Sequence, residues 1–224
     1  LAFADGSNNP LWSQTSRGMS EVLVLAAVWH ASATARRMAW DVSLFCTAEF
    51  GFARLPEALT TGSSIMPNKR NPDVVELLRA STSVVTGSIA ELMSLTALPS
   101  GYHRDLQLTK GALLRGLFET RDALSAALLV ADALEFDAQR LRLAVSRDML
   151  ATDRPATLAS EGVPFRDAYR QVAQELGAAD EPALGDADRS LRERTSPGAS
   201  GNLGLERLEA RLERARSAIA AAAP

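Results

Sequence analysis

The sequence predicts an all-α protein: a bundle of long helices followed by a small C-terminal helical domain. Three observations indicate this fold. Alanine is used heavily in the 224-residue chain while aromatic residues make up only 5%, and alanine is the strongest helix former. Three long stretches, beginning near residues 16, 72 and 105, lack internal proline and carry apolar patterns. After about residue 136 the predicted elements become short.

The first predicted helix extends from about Ser16 to Phe50. This stretch contains no proline and only scattered charges. About thirty helical residues at 1.5 Å each give a rod of roughly 45 Å. His30 lies inside the apolar pattern, and we expect it to be packed in the core.

The second predicted helix begins with a strong start signal. Asn71 can cap the helix, Pro72 suits its first position, and Asp73 places negative charge at its positive end. The helix is expected to continue to about Leu98, before Pro99. Its stretch from residue 80 to residue 90 carries no charge, which predicts burial on every side.

The third predicted helix covers residues 105–134. Leucines recur along it at spacings of seven, four, seven and four residues, at Leu106, Leu113, Leu117, Leu124 and Leu128. This stripe is expected to face a partner helix. Three helices of this length indicate an extended bundle, and we expect other subunits to cover its apolar faces.

We therefore predict two domains. Residues 1–135 form part of a central helical bundle domain, with a loop at residues 60–72, and residues 136–224 form the small C-terminal domain. The latter ends in a serine- and glycine-rich loop and an amphipathic helix. Because the chain begins with Leu1 in what reads as ordered sequence, we expect the N-terminal part of a larger protein to precede it.

Charge and cysteine content exclude several functional classes. The 24 Lys and Arg residues are interspersed with 27 Asp and Glu residues, so neither a nucleic-acid patch nor a membrane-surface patch is expected. One cysteine, Cys46, allows neither an internal disulfide nor a zinc cluster, and we interpret it as a buried, inert thiol. The longest apolar run, beginning at Val22, is too short to cross a bilayer. These observations predict a soluble cytoplasmic protein.

The loop before the second helix combines groups that could bind and deprotonate an anion. Gly62 makes its backbone flexible, and the Ser63 hydroxyl could exchange a proton if positive charge stabilised the alkoxide. Lys69 and the positive end of the helix supply such charge. Residue types alone nevertheless favour a structural interpretation, in which Asn71 caps the helix and Lys69 is solvated.

The order of the residues changes this balance. The segment "GSSIMPNKRNP" resembles the signature Gly-Ser-Ser-x-Met-Pro-x-Lys-x-Asn-Pro of the fumarase/aspartase superfamily and matches every fixed position. The flanking segments "EFGF", "NPDVVELLR", "LPSGYHRDLQLTK" and "GVPFRDAY" resemble the argininosuccinate lyase family. The resemblance covers most of the chain.

This resemblance implies a lyase of arginine biosynthesis, an amino-acid biosynthetic route. It would cleave argininosuccinate by β-elimination to L-arginine and fumarate, without a metal or an organic cofactor. The resemblance also implies a homotetramer whose active sites are shared between subunits. Ser63 matches the general base, and Lys69 matches a position that contacts substrate carboxylates and would stabilise developing negative charge. The residues that match substrate-binding positions are Ser64, Asn71, Tyr102, Gln107 and Lys110.

Alternatives remain for these assignments. In the resembling family the catalytic histidine lies in an earlier segment, so neither His30 nor His103 takes that role, and we expect this chain to be inactive alone. Without the signature, Tyr102 would be a residue of the turn before the third helix, and Gln107 and Lys110 would be solvated. The competing functions are another fumarate-releasing C–N lyase and a non-catalytic, crystallin-like scaffold.

Overall fold

The computed structural model describes residues 16–96, 104–175 and 184–222. These residues are mostly helical, which confirms the all-α prediction. The α-helices are α1 (Met19–Phe45), α2 (Asp73–Leu95), α3 (Thr109–Ala133), α4 (Ala138–Leu143), α5 (Asp153–Ser160), α6 (Phe165–Glu175), α7 (Leu184–Glu193) and α8 (Leu205–Ala222). Short 3₁₀ helices occupy Glu57–Leu59, Arg104–Leu108 and Arg147–Leu150, and two short strands are β1 (Ala53–Arg54) and β2 (Glu135–Phe136).

The chain divides into two compact units, Leu1–Asp137 and Ala138–Pro224. In the first unit α1, α2 and α3 pack side by side as a three-helix bundle. Trp29 on α1 bonds to Thr86 on α2, and the later Ser32 bonds to the earlier Thr82, so the two helices run in opposite directions. The chain reverses direction again between α2 and α3, so α3 is antiparallel to α2.

Two apolar clusters form the core of the bundle. The first lies at the end where α2 begins and consists of Ala35, Ala39, Val42, Val75, Leu78, Ala123, Ala127 and Val130. The second, smaller cluster lies toward the opposite end and is formed by Leu25, Leu92 and Ala112. Most of these side chains are small, so the helices can approach closely.

A polar layer separates the two clusters. The buried hydroxyls of Ser32 and Thr82 lie 2.8 Å apart, and Thr82 also donates to the Ser32 carbonyl oxygen. The Trp29 indole donates to Thr86 at 3.0 Å. Since a buried hydroxyl costs free energy when it lacks a partner, these bonds favour one register of α1 on α2.

The buried faces of α2 and α3 differ from the predicted ones. Helix α2 is not buried on every side, because Ser83 and Gly87 are exposed on the side turned away from α1 and α3. The predicted leucine stripe is confirmed in part: Leu106 is buried, and Leu113, Leu117 and Leu124 pack against the core clusters from its edge, whereas a row of mostly small residues forms the most buried face of α3. That face consists of Thr109, Ala112, Gly116, Thr120, Ala123, Ala127 and Val130. Small side chains permit close packing there, and Leu128 is 66% exposed.

The end of α1 also differs from expectation. The helix ends at Phe45, and Cys46 adopts a helical conformation as its C-cap. Cys46 is half-buried, and this burial raises the pKa of its thiol. His30 is exposed, so its predicted core placement is wrong: it lies on an outward face, edge-on to the Trp29 ring at 5.4 Å.

A two-stranded ribbon closes the bundle at the end where α2 begins. Ala53 pairs with Phe136 and Arg54 with Glu135 in antiparallel register. The Arg54 guanidinium also bonds to the Glu135 carboxylate at 2.9 Å. The ribbon therefore holds the segment after α1 against the segment after α3.

The second unit contains α4 to α8. Helices α5 and α6 pack together, with Ala168 and Val172 buried. The Arg194 guanidinium reaches the Asp153 carboxylate at 3.1 Å. The predicted closing amphipathic helix is present as α8, and all its residues are exposed. Among the described helices, none combines the length and the apolar character required to cross a bilayer.

Candidate active site

The signature loop, residues 62–70, is an excursion that leaves and re-enters the fold at one point. Thr61 and Asn71 form an antiparallel bridge at its base. The Thr61 amide donates to the Asn71 carbonyl oxygen at 3.0 Å, and the Asn71 amide donates to the Thr61 carbonyl oxygen at 2.8 Å. Helix α2 begins two residues after the bridge, so the loop lies beside its positive end.

Ser63 lies near the start of the loop and is half-buried, whereas the residues that follow it are exposed. Its Oγ accepts hydrogen bonds from the backbone amides of Ile65 and Met66, each at 3.2 Å. Amide donors aimed at an oxygen stabilise negative charge on it. The local turn thus fixes the position of the Ser63 oxygen and directs two N–H donors at it.

The cationic side chains of the loop differ in their partners. The Arg70 guanidinium forms an ion pair with Glu57 at 3.1 Å. Lys69 is exposed, and within the described ranges no carboxylate lies within ion-pair distance of its ammonium group. A turn fixes its backbone, because the Lys69 amide donates to the Met66 carbonyl oxygen at 3.1 Å. Lys69 is therefore available to an anionic ligand.

The start of α2 lacks the predicted side-chain cap. Pro72 occupies the N-cap position, and no side chain caps the helix there. Asn71 lies one residue before the N-cap, where its backbone forms the bridge with Thr61. The structural interpretation of Asn71 as a cap is consequently wrong, and no side chain caps the first N–H groups of α2, whose first turn also carries Asp73 and Glu76.

Gln107 and Lys110 lie far from this loop. The Lys110 ammonium donates to the Gln107 side-chain oxygen at 3.2 Å, so the two share a face as predicted. They stand at the start of α3, beside the C-terminal end of α2. The 23 residues of α2 separate that end from the signature loop, a distance of about 34 Å at 1.5 Å per residue.

The predicted site residues therefore form two groups. Ser63, Ser64, Lys69 and Asn71 belong to the loop or its base at one end of the bundle. Gln107 and Lys110 belong to the other end. Tyr102 lies outside the described residues. In the part of the chain that the structure describes, no three His, Cys, Asp or Glu side chains gather as a metal-binding group.

Two contacts at the base of the loop had no sequence signal. The Thr61 hydroxyl donates to the Asp73 carboxylate at 2.5 Å, and Arg70 reaches Glu57. Their spacings of twelve and thirteen residues follow no helical or strand period. From the sequence, Asp73 is expected only to place a charge at the helix start, whereas its carboxylate also accepts a hydrogen bond from Thr61, in the segment that precedes Ser63.

Comparisons with known proteins agree with the resemblance found in the sequence. A family model described as "Lyase" matches residues 1–87. Argininosuccinate lyase of Sorangium cellulosum (strain So ce56) is 57% identical over 96% of this chain and 49% of its own length. That of Xylella fastidiosa (strain 9a5c) is 47% identical over 94% of this chain and 47% of its own length.

The fold matches solved lyase structures. An EDDS lyase variant with bound fumarate superposes with a TM-score of 0.64 at 19% identity, over 92% of this chain and 48% of that one. At this identity the similarity concerns the fold. The chain spans about half the length of the curated relatives it matches. On the strength of the sequence matches, the chain belongs to the argininosuccinate lyase family.

Proposed function

We propose that the protein to which this chain belongs is a C–N lyase that cleaves argininosuccinate to L-arginine and fumarate. Membership of the family supports the reaction. The observation that carries the assignment to residues is the Ser63 oxygen, which receives two backbone amide bonds in an open loop that also bears the unpaired Lys69.

Ser63 acts as the general base in this proposal. Its alkoxide takes a proton from the carbon beside a carboxylate of the succinyl group, and the electron pair spreads into that carboxylate as an aci-carboxylate. The pair then returns to form the carbon–carbon double bond of fumarate. The C–N bond breaks, its electrons pass to the guanidino nitrogen, and that nitrogen takes up a proton.

The charges at the loop match this chemistry. The aci-carboxylate carries more negative charge than the ground state, so a nearby cation lowers the barrier. Lys69 is free to supply it, and the uncapped start of α2 adds N–H groups and the helix dipole. We assign Ser64 and Asn71 to substrate binding because they flank these groups.

The remaining binding residues point to a shared site. Gln107 and Lys110 lie about 34 Å from the loop, since the full length of α2 intervenes. No argininosuccinate molecule bridges that distance. A second bundle that packs in the antiparallel sense would place its Gln107 and Lys110 beside the first chain's loop. We therefore propose a homotetramer with active sites formed between subunits.

Large apolar side chains on the outside of the bundle support association. Leu77 is 72% exposed and Leu128 is 66% exposed. The outward side of α2 also carries small uncharged residues such as Ser83 and Gly87. A surface of this kind favours burial against another chain.

Turnover tests the reaction. The complete gene product is incubated with argininosuccinate, and fumarate is followed by its ultraviolet absorbance. We expect fumarate release by the parent and loss of at least about a hundredfold in kcat for Ser63→Ala, because removal of a general base typically costs 10²- to 10⁴-fold. Lack of fumarate at high enzyme concentration would refute argininosuccinate as the substrate. An active Ser63→Ala variant would refute Ser63 as the general base.

Light scattering tests the assembly. The Ser63→Ala variant should keep the mass of a tetramer, because it removes one hydroxyl oxygen and leaves the exposed apolar side chains of the bundle unchanged. Leu128→Glu should lower that mass, because it places a charge on the surface that we expect to be buried. A monomeric parent would contradict the shared site.

We place the protein in the cytoplasm, where the one thiol of this chain stays reduced.

A further inference from the structure

The base of the signature loop is tied to the fold more firmly than the loop itself. The backbone bridge between Thr61 and Asn71 joins the two points at which the loop starts and ends. Beyond it, the residues from Ser64 to Arg70 are exposed, and Ile65 is 86% exposed. The positions of Ser63 and Lys69 therefore depend on the contacts that hold the Thr61–Asn71 bridge in place.

One side-chain bond fixes the base against α2. The exposed Thr61 hydroxyl donates to the half-buried Asp73 carboxylate, and a hydrogen bond to an ionised acceptor is stronger than one between neutral groups. Asp73 is the first residue of α2, and its helix is anchored through the buried Val75 and Leu78. The bond thus connects a packed helix to the residue that stands two positions before Ser63.

We infer that Thr61 and Asp73 are positioning residues for the Ser63 base. The inference rests on the proposed function. The hydroxyl–carboxylate bond sets the orientation of the chain that enters the loop, and this orientation sets where the Ser63 oxygen lies relative to the substrate carbon. Neither residue needs to touch the substrate. A displacement of the Ser63 oxygen by about 1 Å can lower the rate of proton transfer about a hundredfold.

A simpler role for Asp73 is a negative charge at the start of a helix, which would favour folding alone. The two roles differ in what they require of Thr61. A helix charge needs no hydroxyl at position 61, whereas positioning does. The backbone bridge survives at position 61 whatever the side chain, so a substitution there removes the hydroxyl bond specifically.

The chain offers a matched control at the adjacent residue. The Thr60 hydroxyl donates to the Glu57 carbonyl oxygen at 3.1 Å and makes no bond to α2. Thr60→Val and Thr61→Val each replace a hydroxyl by a methyl group in the same segment. Only the second breaks the bond to Asp73. Thr61→Ser keeps the hydroxyl and serves as the conservative rescue.

The test compares kcat, KM and thermal midpoint in the complete gene product. We expect Thr61→Val to lower kcat about 10- to 100-fold with KM changed less than about twofold, because the chemical step suffers rather than binding. Thr61→Ser and Thr60→Val should remain within about threefold of the parent. Asp73→Asn should fall between, since a neutral acceptor forms a weaker bond than a carboxylate does.

A kinetic isotope effect separates positioning from a general loss of folded protein. Argininosuccinate carrying deuterium at the carbon that loses its proton should show a larger effect on kcat with Thr61→Val than with the parent, because proton removal becomes more rate-limiting. A loss of folded enzyme would lower kcat without changing the isotope effect. An equal isotope effect on kcat in Thr61→Val and Thr60→Val would overturn the inference.

Two outcomes distinguish this inference from the proposed function. If the parent releases no fumarate, the proposed function fails and the inference with it. If the parent is active and Ser63→Ala is not, but Thr61→Val keeps the kcat of Thr60→Val, only the positioning role is refuted.

Discussion

Gly116 on α3 packs directly against both α1 and α2. A Cβ added at this residue would lie 2.8 Å from Cδ2 and 3.2 Å from Cδ1 of Leu25 on α1, and 3.5 Å from Cβ of Ser88 on α2. Leu25 is fully buried and has little room to move. Gly116→Ala should therefore overpack the bundle.

A second glycine on the same helix isolates the steric cost. A Cβ at Gly111 meets no atom within 4 Å. Replacement of glycine by alanine in a helix stabilises by up to about 1 kcal/mol, and this gain is common to both substitutions. Overpacking costs about 1–3 kcal/mol and applies to Gly116 alone. The unfolding free energies of the two variants should then differ by about 1–3 kcal/mol, with Gly116→Ala the less stable.

Urea unfolding followed by circular dichroism measures this difference at one protein concentration for all variants. Gly111→Ala should unfold at the same or higher urea than the parent, and Gly116→Ala at lower urea than Gly111→Ala. Coincident midpoints for the two variants would refute the close approach of α1 and α3 at this level.

The other predictions concern the polar layer, the thiol and the ribbon. Thr82→Val removes the partner of a buried Ser32 hydroxyl and should cost about 1–3 kcal/mol of unfolding free energy, and the added effect of Ser32→Ala should be less than its effect alone. Burial raises the pKa of Cys46, so the folded chain keeps a proton that the unfolded chain releases in alkaline solution. Its contribution to stability is therefore full below the pKa of the unfolded thiol and is lost as the pH rises above it; Cys46→Ser should flatten urea midpoints measured from pH 7 to pH 10, and identical slopes would contradict this. The exposed pair of Arg54 and Glu135 should contribute under about 1 kcal/mol, and a larger loss in Glu135→Gln would show that the ribbon depends on it.

The sequence predicted those parts of the fold that depend on local signals. The long helices and the closing amphipathic helix follow from proline placement and apolar period, and the structure contains them within a few residues of the expected ends. The order of the loop residues indicates the superfamily, and the segments that flank the loop indicate the family. Such features can be predicted because they depend on residues that are close together in the sequence.

The errors arose where a residue's environment comes from distant parts of the chain. His30 fits an apolar pattern but lies on an outward face. The leucine stripe of α3 lies at the edge of the contact face and not at its centre, because small residues, such as Ala112 and Gly116, allow the helices to approach more closely than leucines would. The separation of Gln107 from the loop is not among these errors, because it follows from the length of α2, which the sequence does predict.

The distribution of side-chain size in the bundle has a consequence for how the chain folds. Small residues fill much of its interior, while several of its largest apolar side chains, among them Leu77 and Leu128, face outward. A newly synthesised chain thus gains comparatively little hydrophobic free energy from its own collapse. Under the proposed assembly, folding and association should be one kinetic event, with a rate that rises with protein concentration, and solitary chains should bind a hydrophobic dye or a chaperone in the meantime.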